Sequence, residues 1–586
     1  MITGGLFTQY FLQDGIRQTE AYQFLTTEAV AEIKARLTQH WSRFSPMCFP
    51  SEADTENEFI FPVLQELGWE WLVQAVANGR RRDVADALLF LSPAAKTLAM
   101  SLQPMARFAH GTVVVENEAR RTNLDRAPAR GEAPSSQILR YMSRAEVQSH
   151  GTLTWGLLTN GVTWRLYFSR ATSRSEGFVG INLADLIDPP PLAPATIPEG
   201  APSDHWMRVF PLLFRPEAFR PDGPGGVTFL DDAMKEGRTY QARVTEKLST
   251  VIFEEVFPRL VRAFAQRDSR ADVASAVWRA EAREGAIRLL YRLLFLLYAV
   301  DRDLLPMQHP GYRDYSLQGM RAEAARKMDG GIPFSAGGTR EWARLLTLSR
   351  AVAGGDPALG LPEYNGGLFR DHPDDILACM TLPDAVLMDV IETMSRETQP
   401  GAGRSWINYR DLSVQHLGSI YERLLEHDVV DAGPVGIALR PSPYARKATG
   451  SFYTREELVL LIFRRAVKPL IAERRSRFMA LLEQQIAEQD AARADAPNTE
   501  RSLDPARLRA LQACDPAEAI LGLRVCDPAM GSGHFLVSLI DQMTDAILDA
   551  MADAATLVPG GDYRSPVAAR IVEIRERILA NARAHG

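Results

Sequence analysis

The spacing of apolar positions changes twice along the chain, and it divides the chain into three regions. From about residue 18 to 188, short β-branched or aromatic runs interrupt helical stretches. Thr112–Val115, Thr154–Leu158 and Val162–Phe168 read as strands, with Asn160-Gly161 as a hairpin signal between the last two. A proline-rich stretch from Asp188 through Pro202 reads as a stiffened linker. From about 205 to 440 the period becomes helical: Leu289, Leu290, Leu293, Leu294, Leu297 and Tyr298 share a face, as do Val414, Leu417, Tyr421, Leu424 and Leu425. Asn365-Gly366-Gly367 is a loop between helical stretches. The last region opens near Thr449 with a helix after Tyr453 and a charged helix from Glu473 to about Ala494. A strand at Leu523–Cys526, a glycine turn and a helix from about His534 follow. The pattern predicts an α/β domain over 1–188, a linker over 189–204, a mainly helical connector over 205–448 and a further α/β portion over 449–586.

Composition narrows the class. A chain of 586 residues exceeds one compact core. With 46% hydrophobic and 24% charged residues it reads as globular. The net charge of −7 gives no bulk argument for a polyanionic partner, so any such contact uses local basic surface. Arg80-Arg81-Arg82, Arg120-Arg121 and Arg464-Arg465 fit phosphates and solvated faces equally well, and none is taken as a site. The four cysteines, Cys48, Cys379, Cys514 and Cys526, form no C-x-x-C pair, which argues against a zinc module or disulfide framework and predicts a reducing cytoplasm. The most apolar run, Leu293–Val300, is far shorter than the ~20 residues of a membrane span, so no membrane partner is expected.

One string carries the chemistry: Leu523-Arg-Val-Cys-Asp-Pro-Ala-Met-Gly-Ser-Gly-His-Phe-Leu536. A strand ending at Asp527, glycines at 531 and 533 and a following helix would bring backbone N–H groups close to a ligand. A dinucleotide fold prefers G-x-G-x-x-G and a phosphate cradle needs Gly-Lys-Ser/Thr; neither is present. Asp-Pro-Ala-x-Gly-Ser-Gly-x-Phe-Leu resembles the cofactor motif of DNA N6-adenine methyltransferases that bind S-adenosylmethionine (AdoMet). The resemblance gives Asp527, Pro528, Ala529, Gly531, Gly533 and Phe535 the cofactor role, with Met530 where the family usually has Cys. Thr449-Gly-Ser-Phe-Tyr-Thr-Arg-Glu-Glu-Leu-Val459 resembles the segment preceding that motif, and it adds Tyr453 and Thr454 to the implied pocket. Arg455 stands where proline is usual. Thr454 with Glu457 also fits a simple capping box, and the order of the two motifs favours the cofactor role.

Tyr364-Asn-Gly-Gly-Leu-Phe369, Leu412–Leu425 and Leu289–Pro306 resemble the helical part of large restriction-modification methylases. Together the likeness is to the type IIG and phage-defence group, including BREX- and DISARM-type methylases. It implies a Rossmann-like methyltransferase domain, double-stranded DNA as partner and, in a defence complex, other subunits. Adenine methylation in that family also needs Asn/Asp-Pro-Pro-Tyr/Phe, whose polar group and aromatic ring hold the flipped base. That string is absent, since Asp188-Pro-Pro-Pro191 lacks the aromatic and lies in the linker. The expectation is therefore an N-terminal fragment with an unassigned catalytic motif, completed by a C-terminal half or a second chain.

In the first region, Asp86 in Val84–Phe90 and the pair Glu116 and Glu118, sharing one strand face, resemble the carboxylates of PD-(D/E)xK nucleases. Glu58–Trp69, Gln137-Ile-Leu-Arg-Tyr141 and Leu157–Tyr167 resemble flanking elements of such domains. The resemblance implies a Mg²⁺ site at Asp86 and Glu116. Glu118 occupies the lysine position, however, so the nuclease fold is expected with weak or no cutting. The rival readings are a Mg²⁺-dependent endonuclease fused to a methylase, and a non-enzymatic subunit that binds AdoMet and DNA.

Overall fold

A computed structural model describes residues 2–76, 84–126, 133–171, 173–174, 176–189, 201–222, 226–307, 309–364, 367–371, 375–399, 403–425, 427–433, 437–441, 454, 456–492, 502–528, 530, 533–560 and 562–585. Two compact units emerge. The first joins 1–238, 460–525 and 538–570, and the second joins 239–459, 526–537 and 571–586. These limits cut the chain elsewhere than the compositional boundaries at 188, 204 and 448. Most of the proline-rich linker, from 190 to 200, lies outside the described residues.

The first unit is built on a seven-stranded sheet. Its strands are β1 (Ile2–Thr3), β2 (Glu70–Val76), β3 (Val84–Phe90), β4 (Val113–Asn117), β5 (Trp155–Thr159), β6 (Thr163–Phe168) and β7 (Phe178–Asn182), in the order β1-β7-β6-β5-β4-β3-β2. Only β4 and β5 pair in parallel. The helix Pro134–Gln148 makes the crossover between them, as a parallel pair requires. β5 and β6 form the hairpin expected at Asn160-Gly161, where the Asn160 carboxamide oxygen accepts from the amides of Val162 and Thr163.

Strand parity assigns two cores. Ala87, Leu89, Val113, Val115, Leu157, Trp164 and Leu166 point to one, with the helix Thr27–Phe44 supplying Val30, Ile33, Leu37 and Phe44. Leu88, Phe90, Val114, Leu158 and Tyr167 point to the other, with Ile138, Tyr141 and Met142 of the Pro134 helix. Both faces are therefore dry, which explains the all-buried patterns of β4 and β5. The unit also contains the helices Lys468–Ala492, Pro505–Ala513, Pro516–Leu521 and most of His534–Leu557, which share two smaller clusters around Phe478 and Ile520.

The second unit is mainly helical. Its longest element, Ala276–Asp301, buries Leu289, Leu290, Leu293, Leu294 and Leu297, as the spacing predicted. Arg292 is buried on the same helix because its guanidinium donates to the carbonyls of Leu368 and Arg370. Val414–Leu425 is also the expected helix. Two antiparallel hairpins, Arg396–Gln399 with Gly403–Trp406 and His427–Asp431 with Ile437–Pro441, were not anticipated. No helix among the described residues is long and apolar enough to cross a membrane.

One element is corrected. Leu523–Cys526 is not a strand: the segment is irregular, and Val525 is 43% exposed. A strand exists only with a neighbour to bond its backbone, and no described strand lies beside this one. The helix expected at His534 begins there.

Candidate functional sites

The glycine turn lies in the second unit. Ala529, Gly531 and Ser532 fall outside the described residues, as do Tyr453 and Arg455. Asp527 is half-buried, Pro528 exposed, and Phe535 and Thr454 half-buried. Gly533 has φ +79°, a conformation glycine adopts without penalty, and a Cβ placed there would meet nothing within 4 Å. Its carbonyl accepts from the Val537 amide at 3.0 Å, the first bond of the His534 helix. The buried His534 ring bonds the carboxylate of Glu456, the first residue of the helix Glu456–Ala466. This contact ties the two motif segments, which lie some 75 residues apart in sequence, at the N-termini of both helices. Open space at a positive-φ glycine before a helix N-terminus, where N–H groups lack intrahelical acceptors, suits an uncharged or anionic part of a small cofactor.

The second site is in the sheet unit. Asp86 and Glu116 stand one step beyond the paired residues Ala87 and Val115, on the face covered by the Pro134 helix. Asp86 accepts from the Asn117 backbone amide at 2.6 Å. Gln137 reaches down from the helix to donate to Glu116, and it lies 3.2 Å from the Tyr141 hydroxyl. Two acids that sequence reasoning missed complete the group. Glu52 lies on the short helix Glu52–Thr55, and Glu56 on the π-helical turn Glu56–Ile60 that continues it. The Asn117 carboxamide donates to Glu56 at 2.8 Å. The signal for them was an i, i+4 acid pair just before the apolar run Phe59, Ile60, Val63 and Leu64.

The electrostatics follow from burial and like charge. Burial first, then repulsion from Glu52, Glu56 and Glu118, pushes Asp86 up to about 7 against the Asn117 hydrogen bond. Glu116 lies well above the carboxylate range through burial, Asp86 and Glu118, opposed by Arg140. Glu118 rises to about 6 through burial and Glu52, and burial with the charge of Glu116 lifts Tyr141 to about 12. Glu116 Oε2 has no hydrogen-bond partner among the described residues. This cluster therefore retains protons near neutrality. No set of three or more His, Cys, Asp or Glu among the described residues is gathered closely enough to hold a metal ion.

The basic clusters separate. Arg120 donates to the carbonyls of Ser45 and Met47 and lies over Trp41 and Phe44, so it is spent on packing. Arg121 lies over Phe49. Arg80–Arg82 fall outside the described residues.

No protein-family model and no solved structure matches the chain. A curated protein of Methanocaldococcus jannaschii, described as a putative type II restriction enzyme and methyltransferase, is 22% identical over 267 residues. The match takes in 45% of this chain and 21% of that protein, so the chain spans about a fifth of its relative's length. The similarity supports a relationship to restriction-modification proteins.

Proposed function

We propose that this chain is the AdoMet-binding and DNA-binding part of a DNA adenine-N6 methyltransferase of a restriction-modification or phage-defence system. The observation that carries the reading is the Glu456–His534 contact, because it brings together the two segments that resembled, separately, the cofactor motifs of that family. The residues present fit the cofactor. Gly533 leaves its side open, the His534 helix offers N–H groups, and Asp527 and Phe535 lie on either side of the turn in sequence; Thr454, Tyr453, Pro528, Ala529 and Gly531 complete the set by resemblance. When bound, AdoMet supplies an electrophilic methyl group. Glu456 holds the imidazole of His534 and thereby fixes the helix end that would face the cofactor. Methyl transfer to adenine needs an Asn/Asp-Pro-Pro-Tyr/Phe loop that this sequence does not contain, so a further segment or second chain supplies it.

Titration calorimetry with AdoMet tests the reading on wild type, Gly533→Asp and Met530→Cys. Wild type and Met530→Cys bind alike, and Gly533→Asp loses at least about tenfold through strain and lost space. Equal affinity of Gly533→Asp and wild type, or no binding by either, rejects the assignment. Incubated alone with labelled AdoMet and duplex DNA, the chain transfers no methyl group to adenine; transfer would place the catalytic loop within it.

A second reading, a Mg²⁺-dependent nuclease at Asp86 and Glu116, is favoured by the buried Glu116 oxygen that has no hydrogen-bond partner among the described residues and feels the charges of Asp86 and Glu118. With Glu118 in place of a lysine, the site lacks the cation that activates water. Negligible cleavage of unmodified DNA in Mg²⁺ or Mn²⁺ is expected. Robust cutting abolished by Asp86→Ala and by Glu116→Ala reverses that ranking.

A further inference from the structure

The first unit carries a second charge arrangement that neither candidate site uses. Asp545, Asp549 and Asp553 recur every four residues along the His534 helix, so they line one side at a rise of about 6 Å per step. Three arginines from segments distant in sequence converge on this row. Arg174, between β6 and β7, donates to Asp549 at 2.6 Å and to Asp545 at 3.4 Å. Arg475 of the Lys468 helix bonds Asp553, and Arg144 of the Pro134 helix stands 3.6 Å from that carboxylate. A cavity of about 260 Å³ remains among Arg140, Arg144, Arg475, Asp549 and Asp553. Burial raises the carboxyl of Asp545 even beside Arg174, so desolvation works against the pairing at that end.

A guanidinium fork suits phosphate oxygens as well as carboxylates. Neighbouring phosphates on one DNA strand lie farther apart in space than their axial rise, so the ~6 Å aspartate repeat is comparable to the step between adjacent phosphates. Partly buried ion pairs give little net stability after desolvation, which leaves them open to competition from a denser anion. The Pro134 helix also carries Gln137, Arg140 and Tyr141 against Glu116, so the arginine row and the cover of the carboxylate cluster share one element.

We propose that Arg144, Arg174 and Arg475 form a contact surface for the backbone of duplex DNA, which the Asp545-Asp549-Asp553 row occupies in the absence of DNA. The inference rests on the reading that duplex DNA is the partner. Fluorescence anisotropy of the 586-residue chain with a labelled duplex of arbitrary sequence, about 30 base pairs long, tests it. Asp545→Asn/Asp549→Asn/Asp553→Asn tightens binding about tenfold or more. Arg144→Ala/Arg174→Ala/Arg475→Ala weakens it and flattens the log–log salt slope by roughly two to three, at about 0.9 per lost phosphate contact. Hydrogen exchange needs no variant: amides of 541–557 exchange faster in wild type once duplex is added.

Four outcomes overturn the proposal: unchanged or slower exchange in that helix, unchanged affinity in a normally melting triple-Asn variant, no duplex binding at low salt, or helix release only by single strands or RNA. AdoMet titration of the arginine variant stays at wild type. A chain that fails to bind AdoMet but passes the DNA arms loses the methyltransferase reading alone.

Discussion

At the scale of residues, the carboxylate cluster makes a signed prediction. A carboxyl raised on folding binds its proton in the folded state between its unfolded value, near 4, and its folded value of about 7 for Asp86. Its favourable contribution is full below about pH 4 and is lost as the pH climbs through 7. Asp86→Asn should therefore gain about 1–3 kcal/mol over wild type at pH 8 and lose that advantage at pH 4, measured by urea unfolding. The same difference at both pH values would show that the carboxyl does not titrate this way. Glu118→Lys puts a cation among four acids and should raise the melting temperature by a few degrees; acquired Mg²⁺-dependent cleavage would identify a decayed nuclease. Asp86 and Glu116 were legible because strand alternation has a fixed period, whereas Glu118, expected on the same strand face, lies one residue past the end of β4. Glu52 and Glu56 were not, since an i, i+4 acid pair ahead of an apolar run looks like any solvated helix face until the fold packs it beside Asp86 and Glu118. The distant Arg174–Asp549 pair leaves no local signal at all.

At the scale of elements, one tight constraint is where the Pro134 helix crosses β5. A Cβ on Gly156 would come within 2.3 Å of Met142 Sδ and 2.7 Å of its Cγ. Gly156→Val should cost about 3 kcal/mol or more by displacing the helix, and adding Met142→Ala should restore part of it. Equal stability of the single and double variants in urea would mean that the contact does not set the helix position. β5, β6 and the Ala276 helix were readable because each repeats a strong apolar period. The hairpin strands Arg396–Gln399 and Gly403–Trp406 are mostly polar and alternate weakly, so their pairing is decided by the helices around them. Leu523–Cys526 erred the other way: a strand-like period does not make a strand without an edge to join.

For the whole molecule, among the described residues both cores of the sheet draw on residues between Ile2 and Met234. Residues 1–238 expressed alone should then melt in one cooperative transition, followed by circular dichroism; a broad, non-cooperative profile would mean that the later helices are required. The return of 460–525 and 538–570 to the first unit was invisible to composition, because it depends on contacts and not on local pattern.

That discontinuity orders events on the ribosome. Synthesis at about 5–20 residues per second needs roughly 10–45 s to cross the stretch from 239 to 459. The sheet is finished long before Asp545, Asp549 and Asp553 are translated, so the aspartate row arrives as a late-fitted stopper on a surface already standing. A transcript broken within the intervening stretch would encode a stub that keeps Arg144 and Arg174 but lacks the stopper. If the arginine surface binds DNA as proposed, such a stub would present Arg144 and Arg174 without the competing aspartates.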